Sequence, residues 1–249
     1  MDNLIKSSIL QHFKFDNDKS TVSLSMLDDS SIIDDIVFST DSHTVQPIQF
    51  PGGDIGTLAV AGTVNDISVM GATPLALSAG FIIEEGLLHQ RYDAIVKSMA
   101  ETARFADTPI ITGDTKVVEK GAIQEFMINT SGIGKRSSYL DANIEEVKRY
   151  RSFDQNWLID SNLKPDDRLI LSGNIGEHGI ALMSFREGYG FETKVKSDVA
   201  PVNGLINKAL KIGGIVAAKD PTRGGIANTL NELSEKSKTG IIIDEEKIP

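Results

Sequence analysis

Residues 51–70 read PGGDIGTLAVAGTVNDISVM, and the rest of the chain takes its reading from this stretch. Pro51, Gly52 and Gly53 break whatever precedes them. Asp54 is a good N-cap, because its carboxylate can accept from the first unpaired N–H groups of a following helix. From Ile55 to Met70 the run is rich in Ala, Val and Gly, which predicts a buried helix. Asn65 and Asp66 interrupt it. A buried carboxylate is costly unless it is paired or bound to metal, so this polar pair points to a site; the plainer alternative is a solvent-facing edge.

Working outward, Leu4 to Phe15 has helical spacing, while Val22–Met26 and Ile36–Ser39 read as strands with Asp28 and Asp29 in a turn-like segment between them. Beyond the helix, Leu75–Ile83 fits a central strand. Leu88, Tyr92, Ile95, Met99 and Ala103 repeat as one face of an amphipathic helix. Pro109–Thr112 and Gln124–Ile133 look like further strands. Strands interleaved with long helices predict an α/β (α+β) fold. A first domain then covers 1–134, and a polar connecting arm with a short helix near Ile144–Tyr150 covers 135–163. A second α/β domain covers 164–249, with strand Leu169–Ser172, helices Ile180–Glu187, Val202–Ile212 and Ile226–Lys236, and strand Ile241–Ile243. Ending just past an apolar strand predicts that this second domain is truncated.

The bulk properties narrow the function. Thirty-five acidic against 25 basic residues give a net charge of −10 with no basic cluster, which argues against nucleic acid. The absence of cysteine excludes disulfides, thiolate metal sites and a cysteine nucleophile within this sequence. No signal peptide and no apolar run near the roughly 20 residues of a membrane span can be found, so the reading is cytoplasmic with no membrane partner.

Several residues carry candidate chemistry. Asp41 and Asp114 are expected at strand ends and Asp28 in a loop. Such carboxylates suit Mg²⁺ shared with substrate phosphates, although Asp at strand ends is also ordinary turn chemistry. Lys116 either neutralises such a cluster or contacts phosphate; a lone surface lysine is the bland alternative. Ser172 to Gly179 joins a strand to a helix, and Gly173 and Gly176 let backbone N–H groups approach a phosphate. The spacing matches neither the Walker A nor the dinucleotide pattern. His178 inside it suits acid–base work or a structural role. Asp220 to Gly225 is a second glycine-rich turn, with Arg223 suited to phosphate or carboxylate. Gly132-Ile133-Gly134-Lys135 is not a P-loop, because Asn129 stands where its first glycine is needed.

Taken together, Ser39-Thr40-Asp41-Ser42, Phe50 to Gly56, Gly62 to Asp66, Met70-Gly71-Ala72, Gly80 to Gly86, Thr112 to Val118, Ser172 to Gly179 and Asp220 to Gly225 resemble the HypE family of hydrogenase expression/formation proteins. That family belongs to the aminoimidazole ribonucleotide synthetase-like superfamily. The resemblance implies a two-domain synthetase-like fold whose N-terminal sheet domain forms a homodimer, with ATP and Mg²⁺ in the cleft between subunits and domains. It implies ATP-dependent dehydration of a cysteine thiocarboxamide to thiocyanate, supplying cyanide for the active-site iron of nickel-iron hydrogenases. A carbamoyltransferase and an iron-carrying scaffold complex would be its maturation partners. By position it assigns catalysis to Asp66, Lys116 and His178. Nucleotide binding falls to Asp41, Asn65, Asp66, Thr112, Gly113, Asp114, Lys116, Gly173 and Gly176, and metal binding to Asp28, Asp41, Asp66 and Asp114. The sequence departs from the family pattern in lacking the opening His-Gly-Ser-Gly-Gly run, the later part of the second domain and the C-terminal cysteine. A related synthetase or kinase of the superfamily is one alternative, which the Gly80 to Gly86 and Gly113 to Val118 runs count against, and the missing glycine run and cysteine favour another, a non-catalytic dimerisation or scaffold module.

Overall fold

The computed structural model describes residues 5–13, 18–186 and 194–249. After a π-helical turn at Ile5–Ile9 come α1 (Leu10–His12), β1 (Ser20–Val22), β2 (Ser31–Ile33), β3 (Ile36–His43), β4 (Gln49–Phe50) and β5 (Gly53–Asp54). Then follow α2 (Ile55–Val69), β6 (Ala72–Glu84), α3 (His89–Phe105), β7 (Ile110–Val118), β8 (Phe126–Arg136) and α4 (Leu140–Lys148). The second half adds α5 (Glu177–Phe185), α6 (Asn203–Ile212) and α7 (Gly225–Ser237). Six strands form one sheet in the order β1-β2-β3-β8-β6-β7. All its pairs are antiparallel except β6 with β7, which α3 connects.

The sheet has one covered and one open face, and the two-residue period of a strand distributes its side chains between them. On β3, Val37, Ser39 and His43 are buried while Phe38, Thr40 and Ser42 are exposed; on β8, Ile128 and Thr130 are buried while Asn129 and Ile133 are exposed. The covered face packs on α2 and α3 through Ile55, Ala59, Val60, Val64, Ile95 and Met99. Asp54 caps α2 as expected, its Oδ1 accepting from Thr57 N at 2.9 Å and from Ser98 Oγ at 2.6 Å. Helix α2 approaches β8 where a side chain is absent. A Cβ on Gly132 would fall 2.6 Å from Leu77 Cδ2 and 2.7 Å from Ile67 Cδ1.

The stretch 135–163 is more ordered than its polarity suggests. Helix α4 begins four residues before the expected Ile144, and it buries Leu140, Ile144 and Val147 in a second core with Trp157, Leu158, Ile67, Met70 and Leu210 of α6. The Arg136 guanidinium lies 4.8 Å over the Trp157 ring, so a charged residue covers part of that core.

Other expectations need correction. The strand expected over Val22–Met26 stops at Val22, and Leu24–Met26 is a 3₁₀ turn. Strands β3 and β7 continue past the positions expected to end them, so Asp41 and Asp114 lie inside strands. Leu169–Ser172 and Ile241–Ile243 are not strands. Among the described residues of 164–249 no ladder forms, and Ile170 and Ile242 are 83% and 97% exposed. A strand needs a neighbour for its N–H and C=O groups, and neither segment has one. Leu4, Phe15 and Glu187, counted in the expected helices, lie outside the described residues.

Candidate functional site

The site grows from the junction of α2 with β3. Ser39 and Asp41 both point to the covered face, where Ser39 Oγ donates to Asp66 Oδ2 at 3.0 Å and Ser30 Oγ donates to the Asp66 carbonyl at 2.9 Å. Asn65, one residue earlier on α2, reaches the second half of the chain. Its Nδ2 donates to Asp220 Oδ2 at 3.1 Å and to Ala200 O at 3.2 Å, and its Oδ1 accepts from Val202 N at 2.7 Å. The two polar residues that interrupt the apolar helix thus split the work: Asn65 ties the halves together, and Asp66 faces the acidic groups.

Asp41 is held from beneath by buried polar groups. His43 Nε2 stands 3.5 Å from Asp41 Oδ2 and 3.3 Å from Thr130 Oγ1, which itself donates to Ala59 O at 3.0 Å. Gly62 makes the space: a Cβ there would sit 3.0 Å from His43 Cε1 and 3.2 Å from Asp41 Oδ2.

Electrostatically the site is short of positive charge. Burial pushes the Asp66 carboxyl well above the usual carboxylate range; the nearby Asp29, Asp41 and Asp220 push the same way, and Ser39 only partly opposes them. Burial also raises Asp220, with the Asn65 amide opposing and Asp198 and Asp41 adding to the rise. Asp29 rises to about 6 because burial outweighs the adjacent Lys219. Lys219 is the main counter-charge, with Asp29 at 2.8 Å, Asp160 at 2.9 Å and Glu232 at 3.2 Å. Burial works against its charge, but those carboxylates more than compensate and raise its pKa. A cavity of about 580 Å³ opens beside this cluster, lined by Asp28, Asp29, Ser39, Thr40 and Arg223 among others.

The expected site residues divide into groups. Asp41, Asn65 and Asp66 come together. Asp28 lies next to them but is engaged elsewhere, its Oδ1 accepting from Asp160 N at 3.1 Å and lying 3.6 Å from Lys236 Nζ. Thr112, Asp114 and Lys116 alternate along exposed β7, in register with Ser78, Gly80 and Ile82 of β6 and hence on the open face, away from Asp66 of the same protomer. Gly113 points the other way, and a Cβ there would lie 2.1 Å from Ala79 O. Gly173 and Gly176 fall in the loop before α5, Gly176 with φ +82°. His178, in the first turn of α5, has Nδ1 2.8 Å from Ser197 Oγ and its backbone N–H on Asp198 Oδ1 at 3.2 Å.

Asp29, Asp220 and Lys219 were not among the expected site residues. Asp220 was visible as the first residue of a glycine-rich turn, and Asp29 as the neighbour of Asp28. Lys219 carried no signal, because its carboxylate partners come from residues 29, 160 and 232. Among the described residues, no three His, Asp or Glu side chains converge as a ready-made metal cage. The donor set still fits Mg²⁺, which takes one or two carboxylates and completes its shell with water and phosphate.

Residues 27–135 match the AIR synthase related protein N-terminal domain and residues 164–249 the corresponding C-terminal domain. A putative hydrogenase expression/formation protein of Methanocaldococcus jannaschii is 49% identical over 254 residues, covering 100% of this chain and 70% of that protein. The chain belongs to the HypE family. The carbamoyl dehydratase HypE of Rhizobium leguminosarum is 47% identical across 86% of this chain, which spans only 57% of that relative's length. Among solved structures, this HypE-family chain superimposes on the HypE–HypF complex with TM-score 0.85 and 46% identity, covering 99% of this chain and 74% of that one. It superimposes on a HypE in complex with ATP with TM-score 0.72 and 43% identity, covering 95% and 65%. No helix among the described residues of the HypE-family chain is long and apolar enough to cross a membrane.

Proposed function

We propose that this chain provides the nucleotide site and reacting end of a carbamoyl dehydratase that uses ATP to convert a cysteine thiocarboxamide into a thiocyanate for nickel-iron hydrogenase assembly. The observation that carries this reading is the group of buried carboxylates Asp29, Asp66 and Asp220, whose pKa values are raised by burial, with Asp41 adding its charge against Asp66 and Asp220 and Asp29 lining the cavity. Carboxyls crowded in this way favour a hard divalent cation and the phosphates that come with it. Bound Mg²⁺ would supply charge neutralisation for the phosphates, with Asp66 and Asp41 as its holders.

The balance of the reaction is simple. The carboxamide oxygen attacks the γ-phosphorus and ADP leaves. The nitrogen then loses its two protons while the C–O bond breaks, so phosphate departs and a C≡N bond remains. The chain's own contribution is placement. Asp66 and Asp41 fix the phosphate end, Gly173 and Gly176 leave backbone open beside it, and His178 lies at the reacting end.

We further propose a homodimer through the open face of the sheet, with Thr112, Asp114 and Lys116 of one protomer completing the site of the other. The support is parity, because these residues face away from their own Asp66. The exposed Phe38 and Ile133 give that face apolar surface to bury. A HypF-type carbamoyltransferase as donor partner follows the solved HypE–HypF complex, and an iron-carrying scaffold as acceptor follows from the chemistry. Calorimetric titration of Mg-ATP tests the core of the reading. Saturable binding by the wild type that vanishes in Asp66→Asn supports it, and equal binding by both removes Asp66 from the site.

A further inference from the structure

The Pro51-Gly52-Gly53 turn has a second purpose besides starting α2. Ser197 N donates to Pro51 O at 2.8 Å, so the segment 196–199 lies along the turn. A Cβ on Gly52, whose φ is +96°, would lie 2.6 Å from Ser197 N, and one on Gly53 would lie 2.9 Å from Val199 Cγ1. The missing side chains therefore make a seat for this segment. On its other side the segment meets His178, whose ring is also contacted edge-on by Phe50 with centroids 5.2 Å apart.

Proton accounting at this contact favours a proton on Nε2. A serine hydroxyl has one proton to give and two lone pairs to accept with. Ser197 Oγ accepts from Val199 N at 3.2 Å and lies 2.8 Å from His178 Nδ1. If Nδ1 bore the proton, the half-buried hydroxyl would accept twice and have only solvent to donate to. If the hydroxyl donates to Nδ1, every group is satisfied, and a neutral ring must then hold its proton on Nε2. Burial, against the pull of Asp198, lowers the ring's pKa and favours this neutral form.

We propose that Ser197, seated on the Pro51–Gly53 turn, is the positioning residue that holds His178 as its Nε2–H tautomer. The ring then faces the reacting end as a hydrogen-bond donor to an oxyanion of the phosphorylated substrate, and not as a base. This rests on His178 lying at the reacting end, as read above. It assigns removal of the nitrogen protons to a group other than His178, and it gives the glycine turn of the first half a role in aligning a histidine of the second.

The test is long-range ¹H–¹⁵N spectroscopy of the chain labelled at its four histidines, with His178→Gln identifying the signal. The expected pattern is Nε2–H in the wild type, a mixture of tautomers in Ser197→Ala, and the wild-type pattern again in Ser197→Thr. Gly52→Ala should shift the signal as Ser197→Ala does. An Nδ1–H pattern in the wild type, or a Ser197→Ala spectrum identical to it, overturns the assignment. ATP turnover driven by an added S-carbamoyl-cysteine peptide tests the underlying reading separately. Ser197→Ala should lower kcat about tenfold with KM for ATP unchanged, a fraction of the 10²–10⁴ that a positioned acid contributes. Full turnover in His178→Gln would sink the catalytic reading of His178. An inactive His178→Gln with the wrong tautomer in the wild type would sink only the role of Ser197.

Discussion

Replacing Asp29 by asparagine should make the protein more stable at neutral pH, although Asp29 stands 2.8 Å from a lysine. Burial raises its carboxyl from the ordinary 3.8 to about 6 in the fold. Below about pH 3 both folded and unfolded chains hold the proton, and the group has no differential effect. Between about 4 and 6 the unfolded chain releases the proton first, so stability falls as pH rises through this window. Above it the full penalty stands, about 3 kcal/mol for a rise of this size. The amide introduced by Asp29→Asn resembles the protonated acid and can still accept from Asp220 N, whose contact with Asp29 is 3.4 Å. The stability difference between variant and wild type should therefore open by about 3 kcal/mol from about pH 3 to about pH 7.5, or about 6–12 °C in Tm for a chain of this size. Urea unfolding in EDTA at fixed protein concentration measures it. A flat difference across pH, or a variant less stable at pH 7.5, would show that the Lys219 attraction outweighs the burial cost, and the electrostatic argument for a cation-seeking site would lose its footing.

Further outcomes follow from the same geometry. Asp66→Asn should abolish Mg-ATP binding in calorimetry while the far-UV dichroism stays that of the wild type and the Tm at neutral pH rises, because the burial cost of this carboxylate is relieved as for Asp29. Gly132→Ala should cost about 1–3 kcal/mol in urea unfolding, because the added methyl meets Leu77, Ile67 and Thr63 within 2.9 Å. Lys219→Met should destabilise by about 3–5 kcal/mol at neutral pH, since it leaves Asp160 and Asp29 buried without their shared partner; an unfolding midpoint close to the wild type would refute that role. If the site is shared across a two-fold dimer, mixing Asp66→Asn with Lys116→Ala protomers should restore about one quarter of wild-type turnover, half the dimers being mixed and half their sites intact. No recovery in verified mixed dimers would place both residues in one protomer's site.

Residues 51–70 announced the buried helix, its cap and the polar pair Asn65–Asp66 without help from any other part of the chain. A cap and a largely apolar run are local properties, and the structure keeps them. The long strands were legible as elements but not in extent. Asp41 and Asp114 were expected at strand ends because polar residues usually stop a strand; β3 and β7 continue because neighbouring strands still pair with them. The segments Leu169–Ser172 and Ile241–Ile243 show the converse: β-branched content alone does not make a strand without a partner to pair with.

What the sequence by itself determined was the family and the mixed α/β class, since each rests on local motifs or composition. Only the tertiary structure decided which motifs meet. It put Asp114 and Lys116 on the opposite face of the sheet from Asp66, because side-chain direction follows strand register. It also surrounded Lys219 with carboxylates from residues 29, 160 and 232, and brought Ser197 onto the Pro51 turn beside His178. Those encounters join residues that lie from about 20 to nearly 200 positions apart, and burial and proton accounting act on such neighbours only after the chain has folded.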